Sequence, residues 1–76
     1  MSNYKFNTAV GMIHAQVLPT MEALGDQPWQ VRLRSEAGDL LLSCTVEDSS
    51  AMGAAAEGVR FFLDAKKIHN KSFSIQ

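Results

Sequence analysis

Cys44, His14 and His69 are the side chains of this chain best suited to nucleophilic, acid–base or metal chemistry. A thiol, an imidazole and a carboxylate make a hydrolytic triad wherever folding brings them together, whatever their spacing. The local pattern argues against one here. Cys44 alternates with Leu42 and Val46 on what reads as the inward side of a strand, where a thiol behaves as a small hydrophobe and stays inert. Two histidines and one inward cysteine also lack the close ligand spacing of a structural zinc site. The plainer roles are a boundary position for His14 and a C-terminal dipole partner for His69. Gly53 and Gly58 fall inside a helical pattern rather than between a strand and a helix start, so the sequence contains no phosphate-cradling loop. The expectation is a protein without catalytic residues, cofactor or metal.

Binding chemistry is better represented. Arg32 and Arg34 alternate with apolar residues and so protrude from one sheet face, while Lys66, Lys67 and Lys71 gather near the end of a long helical stretch. Together they would make a phosphate-contacting surface. Sheets that bind RNA display aromatics for base stacking, and here the outward positions are Gln, Ser, Thr and Leu. The arginines suit an acidic protein partner equally well, since arginine is enriched at interfaces, and Glu36 and Glu47 are available to pair with them across a hairpin. Phe61 points well away from the main apolar stripe of its helix and, with Ile68, is either covered by another helix or displayed as a sticky patch. The expected partner-binding residues are therefore Arg32, Arg34, Phe61, Lys66, Lys67 and Ile68.

These residues need elements to hold them. From Asp48 to Asn70 the pattern is helical, with Met52, Ala55, Ala56, Val59, Phe62 and Leu63 on one stripe and Ala54, Gly58, Phe61, Ala65 and Ile68 on an adjoining one. Such a helix must bury two sides. The acceptors of Glu47 to Ser50 suit its start, and Asn70 is the expected left-handed stop. Trp29 to Arg34 and Leu40 to Val46 alternate with period two and read as antiparallel strands joined through a turn at Gly38. Ser72 to Gln76 alternates again, with Phe73 and Ile75 inward. Upstream, Phe6, Val10, Ile13, Val17, Met21 and Leu24 recur at steps of four and three, the mark of an amphipathic helix bent at Pro19 and stopped at Gly25. The competing reading is a short strand through Tyr4, Phe6 and Thr8, followed by a helix that begins nearer Met12.

The predicted fold is α+β: a two-layer sandwich in the order α-β-β-α-β, with a three-stranded antiparallel sheet and two helices on one face. A right-handed crossover would set the last strand beside Trp29–Arg34. The 76 residues, 46% of them apolar, fit one domain, residues 1–76, with a thin core and room for self-association as a homodimer. A net charge of −1 carries neither the signature of a general nucleic-acid binder nor that of an acidic DNA mimic. One cysteine, no signal-peptide pattern and no apolar run near 20 residues favour a cytoplasmic protein without a membrane span.

The hairpin Trp29 to Glu47, the helix Ser50 to Ile68 and the strand Ser72 to Gln76 resemble, in size and arrangement, the small single-domain viral proteins with which bacteriophages disable host defences, the anti-CRISPR proteins in particular. Those proteins are diverse in sequence, and no functional residue transfers. The resemblance implies an inhibitor that binds a larger host protein complex and blocks it sterically. A non-enzymatic protein-binding module is thus the first expectation, and a small nucleic-acid-binding module using the Arg/Lys residues the second.

Overall fold

A computed structural model describes residues 1–20 and 27–76. The described elements are β1 (Ser2–Thr8), β2 (Gly11–Pro19), β3 (Gln27–Ser35), β4 (Leu40–Asp48), α1 (Ala51–Ala65) and β5 (Phe73–Ile75). The strands form one antiparallel sheet in the order β4-β3-β2-β1-β5, with α1 packed across one face. The architecture is β-β-β-β-α-β, so the expected three-stranded sheet under two helices is wrong.

The error lies in the first 20 residues. Thr8 pairs directly with Gly11, so β1 and β2 are joined by Ala9 and Val10 alone. Gly11 takes a φ of +103°, a conformation that costs a residue without Cβ little. The Thr8 hydroxyl donates to the Gly11 carbonyl at 2.8 Å and accepts from Val10 N–H at 3.2 Å, closing the turn. Phe6, Ile13 and Val17 are all buried, as a helical stripe would require, but they meet across two strands: Phe6 faces Ile13, and Ser2 faces Val17. Val10, counted in that stripe, is the half-exposed turn residue. Pro19 ends β2 instead of bending a helix. Met21, Leu24 and Gly25 lie outside the described residues.

The second hairpin and the helix follow the sequence pattern closely. Ser35 N–H donates to Asp39 O and Gly38 N–H to Ser35 O, both at 2.9 Å, around a Gly38 with a φ of +95°. Leu40 and Leu41 are the exceptions: register slips between Leu33 and Arg34, so Leu40, expected inward, stands opposite Arg34 and is exposed, while Leu41 packs against the core rather than standing outward. Ser50 caps α1, its hydroxyl accepting from Gly53 N–H at 3.0 Å, while Asp48 Oδ1 accepts from Ser50 N–H at 3.0 Å. At the other end Lys67, with a φ of 57°, is the left-handed stop expected of Asn70. Lys67 N–H returns to Asp64 O and Ile68 N–H to Leu63 O, each at 3.0 Å. This arrangement satisfies the last carbonyls and tucks Ile68 against the core.

The core lies between α1 and the inward side of the sheet. Ala54, Ala55, Val59, Phe62 and Leu63 meet Phe6, Ile13, Ala15, Val17, Val31 and Leu33. Both stripes of α1 find the sheet, since Ala54 and Gly58 are also buried. The outliers are Met52, 51% exposed although expected inside, and from the second stripe Phe61, 62% exposed, and Ala65, also exposed. Strand β5 does not pair with β3. It lies beyond β2 and β1, at the opposite edge beside β1, where Phe73 meets Phe6 edge-on with ring centroids 5.4 Å apart. No helix among the described residues is long and apolar enough to cross a membrane.

Candidate functional site

The expected partner-binding residues are divided between two faces. Arg32 and Arg34 alternate with buried Val31 and Leu33, and therefore stand on the sheet face that α1 leaves uncovered. Phe61, Lys66, Lys67 and Ile68 belong to α1 and the turn that follows it, on the other side. Lys66 sets its ammonium 5.9 Å from the Phe62 ring centroid, and Lys71 donates to Asp64 Oδ1 at 2.7 Å. This pairing, first by hydrogen bond and then by charge, holds the Asp64 carboxyl below its ordinary pKa. The five cations Arg32, Arg34, Lys66, Lys67 and Lys71 do not form one patch.

Beside α1 runs a groove of about 710 Å³. Cys44, Thr45 and Val46 of β4 form one wall, and Glu57, Phe61 and Asp64 of α1 form the other, with Arg60 and Lys71 also contributing. Strand β4 is nine residues long and stands at the end of the sheet, so among the described residues its outer backbone has no partner strand. Its inward side chains Leu42, Cys44 and Val46 are only half-buried because no further strand continues the layer. Partial burial pushes the Cys44 thiol up from its ordinary pKa. Trp29 is half-buried behind the same edge and donates its indole N–H to Asp48 O at 2.9 Å.

The uncovered sheet face holds what sequence reasoning missed. Direct cross-strand pairing aligns Lys5, His14 and Arg34 in one row over β1, β2 and β3, and Asn3, Gln16, Arg32 and Ser43 in the next. Asn3, Lys5, His14, Gln16 and Arg34 border a hollow of about 230 Å³. The signal was available in the alternation of Asn3, Lys5 and Asn7 and of Met12, His14 and Gln16, which becomes legible once Gly11 is placed in a turn. Cys44 and His14 project from opposite faces of the sheet and so do not make a nucleophile and base pair. No group of three His, Cys, Asp or Glu able to hold a metal occurs among the described residues. No protein family, curated protein or solved structure matches this chain.

Proposed function

We propose that this chain is a non-enzymatic protein-binding module that seats an extended segment of a larger partner in the groove between α1 and β4. The observation that carries the reading is the nine-residue edge of β4, unpaired among the described residues, alongside Phe61, 62% exposed. An open edge offers backbone donors and acceptors to an added strand, and pockets beside it select alternate side chains of that strand. A protruding aromatic next to desolvatable apolar surface is the usual anchor of such contacts. Strand addition needs no sequence motif, which suits a chain whose candidate chemistry is so sparse. The resemblance in size to phage inhibitors of host defence adds a mode of action, steric occupation of a host complex. In this reading the protein works in the cytoplasm, where a lone thiol stays reduced.

The test pairs capture with a map. Wild-type protein and Phe61→Asp are used as baits in host lysate, and β4 amide exchange is followed with the captured partner bound. The expected result is retention lost on Phe61→Asp and new protection along Leu40–Asp48. Equal retention by both baits, or protection confined to other strands, would overturn the proposal.

A further inference from the structure

We infer that the hollow on the uncovered sheet face, at the row Lys5–His14–Arg34, is a binding site for the phosphoryl group of a small phosphate monoester. The row crosses three adjacent strands with His14 in the middle. Neighbouring strands lie about 4.8 Å apart, so Lys5 and Arg34 rise roughly 10 Å from one another and their long side chains reach over the imidazole between them. His14 Nε2 is shielded from solvent and has no hydrogen-bond partner among the described residues, a costly condition for a polar atom unless something else satisfies it. Neither the ammonium nor the guanidinium is in an ion pair among the described residues. Arg34 spends one N–H on Gly38 O at 3.3 Å and keeps others for a ligand.

Charge and valence select the ligand. The two rows contain Lys5, Arg32 and Arg34 and no carboxylate, and Glu47 stands opposite Pro28 at the far end of its strand. A carboxylate is satisfied by one arginine fork, which would leave Lys5 and His14 unused. A phosphate monoester brings nearly two negative charges and three acceptor oxygens, one each for the ammonium, the guanidinium and an Nε2–H of His14, which the overlying Lys5 and Arg34 side chains uncover as they turn to clasp the ligand. The amides of Asn3 and Gln16 border the same hollow. Among the described residues the face has no Phe, Tyr or Trp on which a polynucleotide would stack successive bases, which favours a small ligand over a strand of nucleic acid. This site is independent of the groove beside α1.

Side-chain and backbone NMR on the intact protein reads the inference directly, at fixed neutral pH and constant ionic strength. Inorganic phosphate and adenosine monophosphate should each give saturable shifts centred on the His14 ring and the Arg34 Nε. Acetate should not. Lys5→Gln and Arg34→Gln, both at exposed positions, should each weaken phosphate binding about tenfold or more while leaving the amide spectrum otherwise intact. The inference is overturned by shifts that match acetate, by binding indifferent to Lys5→Gln, or by response to an oligothymidylate alone.

Discussion

Gly58 shows how closely α1 lies on the sheet. A Cβ placed there would come 2.8 Å from Val31 Cγ1 and 3.9 Å from Leu33 Cδ2. Val31 is wholly buried and β-branched, so its χ1 is stiff and it yields little room. Ala is worth about 1 kcal/mol more than Gly inside a helix, but overpacking by one methyl costs about 1–3 kcal/mol. Gly58→Ala is therefore expected to lower unfolding stability by about 1 kcal/mol in urea denaturation, the balance of those two effects. In a Val31→Ala background the added methyl has room, and the same substitution should become neutral or stabilising. A penalty unchanged in that background would show that the close approach is not its cause. Gly53 is constrained in a similar way, because the Asp48 carboxylate that receives Ser50 N–H occupies the space where a side chain would stand.

The last strand and the helix are tied together at the scale of elements. Arg60 lies 5.5 Å from the Phe73 ring centroid, Gln76 N–H donates to Lys5 O at 2.8 Å, and Lys71 holds Asp64. Since Asp64 has a depressed pKa in the folded state, its pairing stabilises above the unfolded carboxylate range and is lost as pH falls through the folded value. Lys71→Gln should accordingly show a small drop in urea midpoint at neutral pH that vanishes in strong acid. A deficit of equal size at both pH values would assign the effect to packing. Elements of this kind, β3, β4, α1 and β5, were legible in the sequence because alternation and helical spacing each lasted long enough to exclude the other. The hairpin β1–β2 was not. A turn of two residues between Thr8 and Gly11 brings Phe6 opposite Ile13, and this placement reproduces helical spacing across strands. Ala9 and Val10 carry no turn signal, so Gly11 was the one residue that could have broken the tie. The basic row went unseen for the same reason, since Lys5 and His14 share a face with Arg34 only when they lie on strands.

For the molecule as a whole, the consequence of trading a first helix for a hairpin is that the described residues set a single helix on a five-stranded sheet. One helix cannot cover so wide a sheet, and the shortfall appears as the groove at β4, while the opposite face is polar and basic. The two edges are treated differently. On the β5 side three residues end the sheet next to a lysine-bearing loop, whereas β4 presents Leu40 to Asp48 with no Lys, Arg or Pro along it. Exposed edges of soluble proteins are ordinarily blunted by such residues, because a bare edge pairs with any available strand. This edge should therefore pair with its own copy at high concentration. Antiparallel pairing centred on Cys44 would set Thr45 beside Ser43 of the second copy and keep Glu47 and Asp48 away from their counterparts. A lysine at position 45 is solvated in the monomer, where Thr45 is exposed, but it would bring one cation from each chain to the middle of the paired strands. Thr45→Lys is expected to abolish concentration-dependent association in sedimentation velocity while changing unfolding stability by no more than about 0.5 kcal/mol. Association that survives the substitution would move the self-contact away from β4, and with it the claim that this edge is the sticky one.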